Sequence, residues 1–166
     1  MCEQKQTPPV KVEVKNLTKK FGDLLVLDNI SFDVYQGDLL CVVGPTGCGK
    51  TTFLNSLTKI YDITSGQILL DGKPVDPKTN NIAYIFQGDS TMPWLTVEQN
   101  VAFGLDIKHV PKARRDELVA KYLDIVGLTK YKSYYPKQLS SSMLQRVSIA
   151  RAFACLLYTS PSPRDL

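Results

Sequence analysis

The sequence predicts an α/β fold, and three observations predict it. Residues 39–43 (LLCVV) form a continuous apolar run, the pattern of a parallel strand with both faces buried. A glycine-rich loop, Gly44 to Thr52 (GPTGCGKTT), follows without interruption. Behind it, Phe53, Leu54, Leu57 and Ile60 recur at helical spacing within the run from Thr51 to Ile60. Strand, tight loop and helix in that order bring backbone N–H groups and a helix N-terminus to one point.

The remaining elements follow along the chain. Val10 to Val14 (VKVEV) alternates with period two, as does Ser31 to Tyr35 (SFDVY) ahead of a turn at Gln36 and Gly37. Ser65 and Gly66 turn the chain into a strand from Gln67 to Leu70, and Asp71 and Gly72 close a further hairpin. Ile82 to Phe86 (IAYIF) reads as a second buried strand, ending at Gln87. Thr96 is a suitable N-cap for a helix from Val97 to Leu105. The stretch from Arg114 to Val126 sets Leu118, Tyr122 and Ile125 beside Val119, Leu123 and Val126, and Gly127 ends it. A last helix runs from about Ser141 to Ala154, with Met143, Val147, Ala150 and Ala154 on one side. The predicted division is a β-rich core over residues 1–88 and a helical subdomain over residues 89–154.

The loop carries the chemistry. A triphosphate is a compact polyanion, and holding it means replacing many hydrogen bonds to water. Gly44, Gly47 and Gly49 let the backbone curl so that successive N–H groups face inward, with Pro45, Thr46, Cys48 and Thr52 completing the cradle. Lys50 offers a point charge to the terminal phosphates, and Thr51 a hydroxyl to Mg²⁺. The motif therefore points to nucleotide binding.

Composition narrows the class. The 166 residues suffice for one domain, or one domain with an insert, and 43% apolar with 22% charged residues is ordinary for a globular protein. The net charge of +4 comes from dispersed sources, including Lys19 and Lys20, Lys112 with Arg114 and Arg115, and Lys130 with Lys132. Dispersed charge argues against a nucleic-acid groove. Cys2, Cys41, Cys48 and Cys155 show neither metal-ligand spacing nor a disulfide framework, and reduced thiols fit the cytosol. Cys41 reads as a small hydrophobe in a buried strand, and Cys48 as a small loop residue rather than a redox switch. With no signal-like or membrane-length apolar segment, the expectation is a soluble chain that meets a membrane only through a partner.

Three further features surround the loop: Phe21 in TKKFGD, Gln87, and Leu139 to Arg146 (LSSSMLQR). Together with the loop they resemble the ATP-binding subunit of ABC transporters, over residues 10 to about 154. The resemblance implies an α/β P-loop NTPase core of the ABC ATPase type, with an N-terminal antiparallel β subdomain and a helical insert, using ATP and Mg²⁺. It implies that Phe21 stacks on adenine and that Gln87 is the Q-loop glutamine, contacting Mg²⁺ and the attacking water. It implies that Leu139, Ser140, Ser141, Ser142, Met143 and Gln145 form the signature, which completes the site of a second ATPase subunit in a head-to-tail dimer. Transmembrane permease subunits, and indirectly a periplasmic or surface solute-binding protein, are the other implied partners, with no nucleic acid. The implied location is cytoplasmic, peripheral on the inner face of the cell membrane. Met92 to Leu105 (MPWLTVEQNVAFGL) resembles the nitrate, sulfonate, taurine and bicarbonate importers, in which ATP binding and hydrolysis drive solute import. Trp94 otherwise reads as a hydrophobic anchor between core and insert.

Two departures from that pattern shape the expectations. Ser141 and Ser142 stand where the signature usually has glycines, and their side chains are expected to crowd the opposing γ-phosphate and weaken dimerisation. After Ala154 the family continues into an apolar strand ending in Asp-Glu, the Walker B motif, and then a switch histidine. This chain reads CLLYTSPSPRDL over residues 155–166. Asp116 and Glu117 fall instead on the exposed face of a helix, and His109, the single histidine, reads as a surface residue. The C-terminal third is thus expected to be missing, with hydrolysis lost, and residues 155–166 to be a non-native tail resembling a translated sequencing adapter. A non-catalytic nucleotide-binding fragment and a soluble ABC-type ATPase stay open as alternatives. A small-molecule kinase or GTPase is a further one, although no N-K-x-D base reader is present.

Overall fold

The computed structural model describes residues 8–76, 80, 82–88 and 90–159. The chain divides into two compact units, Met1–Asn80 and Asn81–Leu166.

The first unit is built on a long hairpin of β1 (Val10–Phe21) and β2 (Leu24–Tyr35). Strands β3 (Ser65–Leu70) and β4 (Lys73–Pro74) extend it into an antiparallel sheet of order β2-β1-β3-β4. The predicted period-two segments lie inside these strands, and the turns at Gln36-Gly37 and Asp71-Gly72 form where expected. Both hairpin strands are longer than the alternation indicates. Register shifts between Val14 and Leu17, and between Leu17 and Lys19, break the period without breaking the pairing. Asn16 and Asn29 take left-handed backbone there, at φ 50° and 48°, and their side chains hydrogen-bond at 2.7 Å. One face of the sheet buries Val14, Leu17, Leu27 and Ile68 against Phe53 of α1 (Lys50–Leu57). Phe53 meets the ring of Phe32 at 5.6 Å between centroids. Helix α1 stops at Leu57, short of the predicted Ile60, because Lys59 turns left-handed and the N–H groups of Ile60 and Tyr61 both return to the Asn55 carbonyl.

Residues 39–43 correct the sequence reading. They join no ladder among the described residues, Leu39 and Val43 are 90% and 92% exposed, and Cys41 is exposed rather than packed. Residues 82–86 carry no ladder either, and Ile85 and Phe86 are exposed, so Gln87 follows an unpaired segment instead of ending a strand. An apolar run becomes a buried parallel strand only when neighbours pair on its flanks and helices cover its faces. Every ladder among the described residues is antiparallel and belongs to the one sheet.

The second unit packs α2 (Val97–Ile107), α3 (Lys112–Ile125) and α4 (Ser141–Thr159) around Val97, Val101, Leu105, Leu118, Tyr122, Leu123, Val147, Ala150 and Ala154. Thr96 caps α2 as predicted. Its hydroxyl accepts from the Gln99 N–H while the Gln99 side chain accepts from the Thr96 N–H, a reciprocal capping box. Thr96→Ala is expected to cost about 1 kcal/mol, read as a lower urea midpoint at unchanged slope. Gly127, at φ 70°, follows the end of α3, but Ile125 lies exposed rather than in the apolar stripe. Helix α4 passes its predicted end at Ala154 and continues to Thr159, into the segment read as a non-native tail. Cys155 packs there: its Sγ lies 3.1 Å from where a Cβ on Gly104 would sit, and Lys108 Nζ donates to its carbonyl at 3.2 Å. Residues 160–166, the rest of that tail, lie outside the described residues. Among the described residues no helix is long and apolar enough to cross a membrane.

Candidate nucleotide site

The loop from Gly44 to Thr52 follows the exposed run 39–43 and runs into α1, and its three glycines serve it in different ways. Gly47 and Gly49 have φ of 85° and 93°, which side chains rarely adopt. Gly49 also abuts β2, where a Cβ would lie 3.1 Å from Leu27 Cδ2 and 3.2 Å from the Val26 carbonyl. Gly44 has no special φ; a Cβ there would sit 2.6 Å from Cys48 Sγ, a contact that the Cys48 side chain could relieve by turning. Curled in this way, the loop encloses the ammonium of Lys50. Lys50 Nζ donates to the carbonyls of Gly44 and Pro45, each at 2.7 Å, with Cys48 Sγ at 3.6 Å.

The donors around that ammonium test whether a polyphosphate fits. Among the described residues, the N–H groups of Thr46, Gly47, Gly49, Lys50, Thr51 and Thr52 have no protein acceptor. The last three belong to the first turn of α1, where the helix dipole favours negative charge. Thr51 is exposed at the same turn, so its hydroxyl is accessible. A lysine ammonium and a row of unclaimed N–H groups at a helix N-terminus match a polyanion. Behind the loop, a cavity of about 410 Å³ is lined by Leu27, Ile30, Phe32, Cys41, Cys48 and Phe53, among others. Its mainly carbon walls suit apolar contact rather than phosphate.

Phe21 ends β1 with its ring exposed. Two residues to which the sequence assigns no role in the site surround it. The Tyr61 ring stands edge-on at 5.5 Å and 87°, and Lys19 Nζ lies 4.6 Å from the Phe21 centroid. Lys19 was visible in the TKKF run as a surface lysine, whereas nothing local links Tyr61 to Phe21. The first unit thus holds the whole loop and Phe21, while Gln87 and the LSSSM run belong to the second.

In the second unit Gln87 is exposed at a bend. Ser90, just beyond it, is tied to α4: its hydroxyl meets Ser148 Oγ at 3.2 Å and accepts from Arg151 Nη2 at 2.9 Å. The segment between Ser90 and α2 is held by Asn100, which is fully buried. Asn100 Nδ2 donates to the carbonyls of Met92, Leu95 and Thr96, and Oδ1 accepts from the Met92 N–H at 2.8 Å. Trp94 on this segment is 72% exposed, so it is not buried as an anchor.

The LSSSM run opens α4. Ser140 precedes the helix and caps it, its hydroxyl accepting from the Met143 N–H at 3.4 Å and its carbonyl from the Leu144 N–H at 2.9 Å. Leu139 and Met143 lean on the apolar core, while Ser141, Ser142 and Gln145 face outward. Neither Ser141 nor Ser142 has positive φ, so replacing glycine here places no strain on the helix. Asp116 and Glu117 lie on the exposed face of α3 and His109 is exposed, both as predicted, and the two carboxylates pair with Arg115 and Arg114 at 2.7 Å and 2.9 Å. Contacts to Asp106 and Asp116 raise the pKa of Arg115 further, so its guanidinium stays charged.

Comparison with known proteins agrees with this geometry. The family model described as ABC transporter matches residues 27–156. An uncharacterized ABC transporter ATP-binding protein of Methanocaldococcus jannaschii is 45% identical over 149 residues, covering 87% of this chain and 56% of that protein. The nitrate import ATP-binding protein of Synechocystis is 38% identical over 148 residues, with the same coverage of 87% and 56%. This chain spans about half the length of the curated relatives it matches. A solved ATP-binding subunit of an ABC transporter superposes with a TM-score of 0.78 at 25% identity, over 87% of this chain and 62% of that one. A loop of this geometry, a family match over most of the chain and a shared fold lead to one conclusion: the chain belongs to the ABC transporter family.

Proposed function

We propose that this chain is the ATP-binding subunit of an ABC transporter and that residues 44–52 hold the triphosphate. The observation that carries the reading is the Lys50 ammonium held by a loop in which the N–H groups of Thr46, Gly47, Gly49, Lys50, Thr51 and Thr52 lack protein acceptors among the described residues. In this reading Lys50 meets the terminal phosphates and the N–H groups of Thr46, Gly47, Gly49, Lys50, Thr51 and Thr52 spread over the remaining oxygens. Phe21 takes the adenine. Mg²⁺ would be held by the Thr51 hydroxyl, and when bound it would offset phosphate charge. In the signature formed by Leu139, Ser140, Ser141, Ser142, Met143 and Gln145, the outward Ser141, Ser142 and Gln145 meet the nucleotide of a second subunit in a head-to-tail dimer.

Coupling to permease subunits on the cytoplasmic face of a membrane would turn ATP binding and hydrolysis into solute import. A solute of the nitrate, sulfonate or taurine type is supported by the residues from Met92 to Leu105 and by the likeness to the Synechocystis nitrate import protein. Two measurements test the reading. Calorimetric titration is expected to show Mg-dependent binding of ATP, and no heat from folded protein would overturn it. Co-expression with candidate permeases, followed by uptake of labelled nitrate and taurine, tests the solute class.

A further inference from the structure

A phenylalanine at an exposed strand end, beside the Gly22-Asp23 turn, would ordinarily rotate among rotamers and offer a base a poor platform. The surroundings of Phe21 restrict it. The Tyr61 ring abuts it edge-on at 5.5 Å, and Lys19 Nζ covers one face at 4.6 Å from the centroid. Lys19 is itself tethered, since its Nζ donates to the Asp62 carbonyl at 2.6 Å and lies 6.0 Å from the Tyr61 centroid. We infer that Lys19 and Tyr61 are positioning residues that lock the Phe21 ring, closing one face and presenting the other to a nucleobase. This role rests on the nucleotide-binding reading, in which Phe21 stacks on the base.

The tethers connect this platform to the phosphate end of the site. The Tyr61 N–H donates to the Asn55 carbonyl at 3.1 Å, so Tyr61 is fixed to α1, the helix that Lys50 begins. Thr64 binds β1 twice: its N–H donates to the Thr18 carbonyl and its hydroxyl accepts from the Lys20 N–H, both at 2.9 Å. Across the hairpin Lys19 lies opposite Leu27, the residue that abuts Gly49 of the loop. Platform and phosphate loop are thereby fastened to the same helix and the same strand. A cation on one ring face draws density from the π-system, and the uncovered face then meets an electron-rich purine more favourably. Neither residue needs to touch phosphate for this role.

The test separates base from phosphate. The full chain is titrated calorimetrically with Mg-ATP and with magnesium tripolyphosphate, a probe that lacks the base. Tyr61→Leu and Lys19→Gln are each expected to weaken ATP about 5-fold while shifting tripolyphosphate less than about 2-fold. Tyr61→Phe keeps the ring edge and is expected to bind ATP as the wild type does. Parallel losses for both probes, or unchanged ATP affinity in Tyr61→Leu and Lys19→Gln, overturn the inference while leaving nucleotide binding intact. A wild-type chain that binds neither probe overturns nucleotide binding, and the inference with it.

Discussion

Lys50→Ala is expected to weaken Mg-ATP binding by about 100-fold, the largest functional effect of any single substitution in the loop. A hydrogen bond from a charged donor contributes about 1.5–3 kcal/mol, and every 1.4 kcal/mol is tenfold in affinity. The upper part of that range applies because of what the ammonium touches. Nζ engages the carbonyls of Gly44 and Pro45 at 2.7 Å each. Without it, two partial negative charges face the region where phosphate oxygens would bind. The lysine thus both attracts the anion and neutralises the loop's own acceptors. Lys50 lies partly exposed outside the apolar core, so the variant should fold normally, with an unchanged far-UV circular dichroism spectrum. Calorimetry giving a Kd within about threefold of wild type would refute the role assigned to Lys50.

The largest effect on stability is expected from Gly66→Ala, a loss of about 4 kcal/mol. Gly66 has φ of 89°, and left-handed backbone costs an L-residue about 1–2 kcal/mol. Overpacking adds about 1–3 kcal/mol. The new methyl would lie 2.5 Å from the Lys15 carbonyl oxygen and 2.6 Å from the Asn16 carbonyl carbon. Both are backbone atoms of β1, held on either side by the Lys15–Gln67 and Thr18–Ser65 pairings with β3. No flexible side chain is available to yield, so relief requires breaking the ladder. Gly72 supplies the contrast, with φ of 73° but no atom near its would-be Cβ. Gly72→Ala is therefore expected to cost only the conformational part, about 1 kcal/mol. Urea titration of both variants checks this; equal losses at the two positions would mean that the close approach to β1 contributes nothing.

What was legible in the sequence was local. The phosphate loop could be read because its chemistry lies within nine consecutive residues, and the start of α2 and the end of α3 because Thr96 and Gly127 act on their own turns. The stripe of Val147, Ala150 and Ala154 was equally plain, since burial along a helix follows a short period. The long hairpin was only partly legible. Its alternation is interrupted by bulges whose register is settled by the opposing strand, as the Asn16–Asn29 pair illustrates.

The sequence by itself determined the phosphate loop, the period-two segments of the long hairpin, the three helices of the second unit and, through the order of Phe21, the loop, Gln87 and the LSSSM run, the family. Tertiary structure alone decided whether the apolar runs at 39–43 and 82–86 become strands, because pairing depends on partners elsewhere in the chain. It alone placed Tyr61 and Lys19 around Phe21 and brought the β1 backbone against Gly66. Such contacts join residues far apart in the chain, and neither periodicity nor a short motif encodes which distant atoms will meet.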